Sequence, residues 1–430
     1  MSVLQKSFSP QRRTAGFTVV ELAVSLLVMV VVTLGMLALF DFSNRLSSVQ
    51  TNVSEMQQSQ RIAQQEVIRT VRMAARGPVP LGLPPVGMSV AMWSQVPVGT
   101  RIGGSGTPEV LEGTDVLTVR GVFSSPVYQV NASRPNVFAV QTVDGGYTGF
   151  VDIANLTPSS IPQDLQSLKD ALDSANQNPA KPRERLLLVS ARNLDVWSIV
   201  ALNPTNSTAD ATSAHLVFAS LPADDPAYFD FPTIAAPSTL GAVAFVGILE
   251  EHRFYVRRAF KTAPNGTQDL ASMFSHARVF PGTDRPWRGL NDDMSVGDNN
   301  HQSWKIDIAD NIVDFQVALG FDSPRGGGRI SDDQNHTGDD DRIYESADGQ
   351  NDDWLYNDSQ AVVPTQWANL PPYFIRLTTL ARTDRRDKDY KSLLLDHLED
   401  HDLAASRYNT GTDRMFRYRP LQTLVDLRNL

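Results

Sequence analysis

The chain has 430 residues, a formal net charge of −10 and no cysteine. That length holds one large domain or two medium ones, and the missing cysteines exclude disulfides and thiolate-bound metals. Lys6, Arg12 and Arg13 place +3 in the first 16 residues, so the remainder carries −13. With nothing basic clustered outside that leader, nucleic acid is not an expected partner.

Residues 1–16 are short, polar and basic, and read as a leader peptide. Residues 17–40 form an apolar run of 24 residues whose one charge is Glu21. As a helix the run reaches about 36 Å, enough for a hydrocarbon core of about 30 Å, so 17–40 is the expected transmembrane segment. It is too long for a secretory signal, and Asp41-Phe42-Ser43-Asn44 follows it in place of a small-residue cleavage site. The basic leader is expected to stay cytoplasmic and everything beyond Phe40 to lie across the membrane. An acid costs about 2.5–3.5 kcal/mol at the bilayer centre, which makes Glu21 a functional candidate.

Helical periodicity continues past Phe40. Leu46, Val49, Val53, Met56, Gln60, Ala63, Val67 and Val71 recur at threes and fours until Gly77-Pro78 ends the pattern. One helix over 17–76, about 90 Å long, is predicted, with 41–76 as its amphipathic half. Gln58, Gln60, Gln64 and Gln65 suit a solvated outer face.

Residues 77–430 form the predicted head. Its first part, 77–110, is rich in Pro and Gly and reads as a loop. Strands are predicted at 115–123, 136–143, 185–189, 196–202, 215–219, 242–249 and 252–258, with a short helix at 163–175 that puts Leu165, Leu168 and Leu172 on one face. Residues 281–360 are crowded with Asp, Asn and Gly around an apolar island at 306–321, and read as long acidic loops. A strand at 373–381, a charged stretch at 382–390, a helical reading of 391–405 and a last strand in 416–430 complete the chain. The fold class is α+β, a long N-terminal helix packed on a large β-rich head.

The stretch Arg12-Arg13-Thr14-Ala15-Gly16-Phe17-Thr18-Val19-Val20-Glu21-Leu22 resembles the prepilin signal of type IV pilins. That pattern is a basic leader, Gly, a large apolar residue, Thr, two apolar residues, Glu, then a transmembrane helix. The resemblance implies cleavage between Gly16 and Phe17 by a prepilin peptidase and N-methylation of Phe17. It also implies that Glu21 docks the terminal amine of a neighbouring subunit. A cation beside a carboxylate in low dielectric offsets much of the burial cost of each. The chain departs from many major pilins in having Gly35 as the only glycine of this span and Ala38 where the family has a proline.

Further segments resemble PilW-like minor pilins: GTDVLTVRG (113–121), AVAFVGILEEHRFYVRR (242–258), DIADNIVDFQVALGFD (307–322), YFIRLTTLARTDRR (373–386) and FRYRPLQTLVDLRNL (416–430). The resemblance implies a type IV pilin-like fold and a non-enzymatic minor pilin, acting at the pilus tip or in the complex that primes assembly. Its partners would be the prepilin peptidase and other minor and major pilins. It would sit in the inner membrane with the head periplasmic, then at the pilus tip or cell surface. GspJ-like minor pseudopilins of type II secretion share this architecture and give the alternative reading. An enzyme or adhesin carried on a pilin anchor is a third.

Calcium is the one candidate cofactor. Asp333, Asn335 and Thr337 alternate before Gly338, with Asp339 and Asp341 beyond, as in the first half of an EF-hand loop. Tyr344 stands where the bidentate Glu belongs, and a solvated acidic loop is the competing reading. Asp322, Asp348, Asp352 and Asp353 are further oxygen donors. His397 and His401 would share a helix face, but their order is not HExxH, and a solvated face is the expectation. Gly326-Gly327-Gly328 lacks the Gly-Lys-Ser/Thr of a phosphate loop and reads as a turn. No set of nucleophile, base and orienter can be assembled from the sequence.

Overall fold

The first helix, α1, spans Val19–Ala74, 56 residues. The computed structural model describes residues 18–74, 90–102, 107–123, 127–130, 140–141, 147–154, 165–177, 184–191, 197–210, 213–219, 243–262, 268–281, 305–322, 353–356, 374–387, 389–399, 401–403 and 411–427. Two units divide the chain, Met1–Ser54 and Glu55–Leu430, so the division falls inside α1. Among the described residues α1 alone is long and apolar enough to cross a membrane.

In the first unit the side chains of 19–46 are exposed. The hydroxyls of this stretch find partners on their own helix. Ser25 Oγ donates to the Glu21 carbonyl at 2.8 Å and Thr33 Oγ1 to the Met29 carbonyl at 2.7 Å. Such back-bonding lets a hydroxyl sit among hydrocarbon without an unmade hydrogen bond. The apolar run ends in an exposed i,i+4 ion pair, Asp41–Arg45, at 3.1 Å.

In the second unit α1 buries Met56, Gln60, Ala63, Gln64, Val67, Thr70, Val71 and Ala74. The predicted stripe is thus buried from Met56 to Val71, whereas its first members are not: Leu46 is exposed and Val49 and Val53 are half-buried. Gln58 and Gln65 are exposed as expected, whereas Gln60 and Gln64 are buried. That correction has a clear cause. A sheet of β14 (Ile312–Asp322), β15 (Asp353–Tyr356), β16 (Phe374–Arg382) and β19 (Tyr418–Asp426), in the order β15-β14-β16-β19, leaves β19 as an edge. Gln60 Nε2 donates to the carbonyls of Thr379 at 2.8 Å and Arg419 at 3.0 Å. Gln64 Nε2 donates to the Leu421 carbonyl at 2.8 Å, and Thr423 Oγ1 donates to Gln64 Oε1 at 2.7 Å. The glutamines thus cover an edge that would otherwise present bare carbonyls.

A second sheet runs β1-β2-β11-β12-β13, built from β1 (Val90–Trp93), β2 (Val116–Gly121), β11 (Glu250–Thr262), β12 (Gln268–Val279) and β13 (Lys305–Asp310). Strand β1 corrects the loop reading of 77–110. The third sheet takes β3 (Tyr128–Gln129), β4 (Val140–Gln141), β5 (Tyr147–Ala154), β6 (Arg185–Ser190), β7 (Trp197–Leu202), β8 (Thr208–Ala209), β9 (Ser213–Ala219) and β10 (Val243–Ile248). Its order is β3-β10-β6-β7-β9-β5-β4, with β8 paired to β9. Strand β6 is buried on both faces, Leu186 and Leu188 in one apolar cluster and Leu187 and Val189 in another. This is why it reads as a continuous apolar run and not as an alternation. Helix α2 (Gln166–Gln177) and Leu165 close the first cluster, with Leu168, Ala171 and Leu172 buried there.

The sheets join through strands that carry on from one to the next. β10 leaves the third sheet, passes buried Leu249 and becomes β11. β13 ends at Asp310, Asn311 turns with φ 61°, and β14 begins at Ile312. Asp115, fully buried, ties the second sheet to the first: it accepts from Gln95 N at 2.8 Å and Val317 N at 2.7 Å.

Residues 391–399 and 401–403 are not helical, and the 391–405 expectation is overturned there. The chain runs extended into a two-strand hairpin, β17 (His397–Leu398) and β18 (His401–Asp402). Glu399, at its turn, has φ 55°, outside helical space. Its carboxylate is held by Arg376, Thr378 and Gln422, while Leu398 and Leu403 pack on Val313 and Leu380.

Candidate functional site

The start of α1 is the site to which the sequence points. Gly16 and Phe17 lie outside the described residues. Thr18 and Glu21 form a capping box. Thr18 N donates to Glu21 Oε2 at 2.9 Å, Thr18 Oγ1 donates to the same oxygen at 2.9 Å, and Glu21 N donates back to Thr18 Oγ1 at 3.3 Å. Threonine and glutamate three apart satisfy free N–H groups at a helix start, and the acid also complements the positive end of the helix dipole. Both side chains are exposed. Glu21 therefore has a local role at the head of its own helix.

The calcium candidates Asp333, Asn335, Thr337, Asp339 and Asp341 lie outside the described residues, as do Gly326-Gly327-Gly328, Asp348 and Asp352. The segment that holds them has paired ends: β14 and β15 are antiparallel, with Asp322 opposite Asp353. Among the described residues no group of three His, Asp or Glu is placed to hold a metal ion. His397 and His401 do not share a helix face. They lie on opposite strands of the small hairpin, His397 opposite Asp402 and Leu398 opposite His401. His401 Nδ1 is 2.7 Å from Oδ2 of buried Asp314, whose Oδ1 accepts from Gln316 Nε2 at 2.7 Å.

Sequence reasoning missed a buried charged network in the run Glu250-Glu251-His252-Arg253. All four are buried on β11. Alternation sends Glu251 and Arg253 to one face, where Glu251 accepts from Arg120 Nε at 2.7 Å and from Arg253 Nε at 2.8 Å. Glu250 and His252 take the other face. There Arg278 Nη2 donates to Glu250 at 2.5 Å, and His252 Nδ1 lies 2.8 Å from His276 Nε2. Burial pushes His252 down against the pull of Glu250. Burial, then His252 and Arg278, push His276 down to about 3. The visible signal was four charged or polar residues in a row between two apolar strand runs. Their partners, far away in sequence, were not visible.

Further along the same sheet, Arg257 grips Asp307 through Nε at 2.7 Å, and Ser275 Oγ donates to it at 2.7 Å. Burial works against ionised Asp307, but these bonds and the Arg257 charge outweigh it and hold the carboxyl below its usual range. In these networks the charged side chains are paired with opposite charges within the sheets. No family model, curated protein or solved structure matches the chain.

Proposed function

We propose that the chain is a PilW-like minor pilin of a type IV pilus, a membrane-anchored subunit that works at assembly initiation or at the tip through contacts with other pilins. The observation that carries this reading is one of order. In sequence Gly16 and Phe17 come just before Thr18 and Glu21, at the head of α1, which among the described residues is the one helix long and apolar enough to span a membrane and runs for 56 residues without a break. A simple anchor needs only about 20 residues. Here the extra turns carry the stripe that covers the edge of a β-sheet.

In this reading Glu21 caps its own helix in the isolated subunit and meets the amine of a neighbour's Phe17 on assembly. Intact mass of the protein purified from cells with an active prepilin peptidase tests the processing. Loss of residues 1–16 and gain of one methyl group are expected. A chain that keeps Met1 under those conditions overturns the reading.

A further inference from the structure

Two segments far apart in sequence, 382–394 and 411–419, hold seven Lys and Arg among the described residues against four Asp, in a chain of net charge −10. The fold brings them together, which corrects the expectation that no basic cluster exists beyond the leader. Asp387 N donates to the Met415 carbonyl at 2.8 Å, Thr383 N to the Arg417 carbonyl at 2.9 Å and Ser392 N to the Arg414 carbonyl at 2.8 Å. Arg382 and Arg386 lie over the Phe416 ring, at 4.3 and 5.4 Å from its centroid, and Arg417 lies over Tyr390 at 4.0 Å. Arg385, Lys391 and Arg419 are exposed around this platform. Beside Lys391 the chain also exposes two leucines, Leu393 at 84% and Leu394 at 60%, while Ser392 between them and Lys391 is buried. Arg417 is paired with Asp387 at 2.8 Å, so the exposed charge next to these leucines comes from Arg385, Lys391 and Arg419. Together they match the interface of a bilayer, where basic groups meet phosphates and apolar side chains enter the acyl boundary.

The platform's place in its unit agrees. Gln60 meets Arg419, and Gln64 meets Leu421 and Thr423, so α1 and β19 run the same way. The platform sits at the start of β19, the end at which α1 enters the unit. We propose that residues 382–387, 389–394 and 411–419 dock on an anionic phospholipid surface, with Leu393 and Leu394 entering the interface. This rests on the membrane span of the reading above, and not on processing or filament assembly. Basic residues near such a surface are attracted to its phosphates, and the attraction falls off within a Debye length.

The absence of cysteine makes the test clean. The full chain carrying Leu393→Cys with a fluorescent label is placed in nanodiscs of phosphatidylcholine, with or without phosphatidylglycerol, each doped with a brominated acyl-chain quencher. Labels at Val30→Cys, in the span, and Leu424→Cys, exposed further along β19, are the references. Quenching at Leu393 is expected to be several-fold stronger in the anionic discs than in the neutral ones. It is also expected to exceed that at Leu424, and to fall several-fold when Arg385→Glu and Lys391→Glu are added. Both side chains are exposed, and an unchanged thermal melt verifies that the doubly reversed variant is folded. Equal quenching in the two lipids, or at Leu393 and Leu424, overturns the proposal. So does indifference to charge reversal. No quenching at Val30 overturns the span itself, and the docking with it.

Discussion

Glu21 serves two readings, and conservative substitution separates them. Gln can replace Glu in a capping box, because its amide oxygen still reaches the N-cap backbone. It carries no charge for a neighbour's amine. On the proposed reading Glu21→Gln is therefore expected to insert in the membrane and be cleaved normally, yet to be recovered poorly in assembled filaments, as is Glu21→Ala. Co-purification with sheared pili measures this, and normal recovery of the Gln variant removes the docking role. Elsewhere a single residue holds two charges. Glu251 lies between Arg120 and Arg253, all three almost fully buried. Truncating one member of such a group leaves uncompensated charge and typically costs about 3–5 kcal/mol. Glu251→Ala is expected to lower the melting temperature of the detergent-solubilised chain sharply, and a melt within a degree of the parent's contradicts the geometry. Thr18 and Glu21 stood out in the sequence through the prepilin-like pattern, and the capping box they form is a further, local role that the pattern did not assign. Glu251 did not stand out, since its partner Arg120 is 131 residues away.

At the scale of elements, apolar pattern and burial agree wherever a strand has one fate along its length. The predicted 185–189 and 373–381 correspond to β6 and β16, and the stripe of α1 is buried where its period put it from Met56 onward. Two features escaped because tertiary contact overrode local pattern. Residues 391–399 have helical spacing, but their leucines divide between solvent and the Val313–Leu380 cluster. Strand β12 carries Gln, Asp, Ser, His and Arg on a 12-residue strand, and only its 12-pair ladder with β11 makes sense of them. Gln60 and Gln64 belong here too. As polar residues they read as solvated, yet they are the contact between helix and edge strand. Gln64→Leu keeps the volume and removes the partners of the Leu421 carbonyl and the Thr423 hydroxyl. A loss of about 1–3 kcal/mol is expected, the usual penalty for orphaned buried groups, and denaturant titration checks it.

At the scale of the whole molecule, α+β was readable as a class, while the division of strands among three sheets was not. Sheet membership depends on which strands continue past Leu249 and Asn311, and nothing in the local sequence marks those crossings as more than irregular strands. The second sheet also sets a pH response. Above about 6.5 His276 is neutral in both folded and unfolded chains, and pH has no leverage through it. From there down to about 3 the unfolded chain takes up a proton that the folded chain refuses, with Glu250, His252 and Arg278 facing the site. Stability through this group should therefore decline as pH falls across that window and level off below it. His252, also pushed down, adds in the same direction. His276→Gln is expected to flatten the fall in melting temperature between pH 6.5 and 4. An unchanged slope in the variant assigns the acid response to other groups.

The glutamine contacts of α1 have a mechanical consequence. Because the helix lies along β19 and runs in its direction, a pull on the apolar end does not peel these bonds one at a time. Traction along α1 strains the Gln60 and Gln64 amides together and passes the load lengthwise into the nine-residue ladder between β16 and β19. Bonds loaded in shear yield together and not one after another.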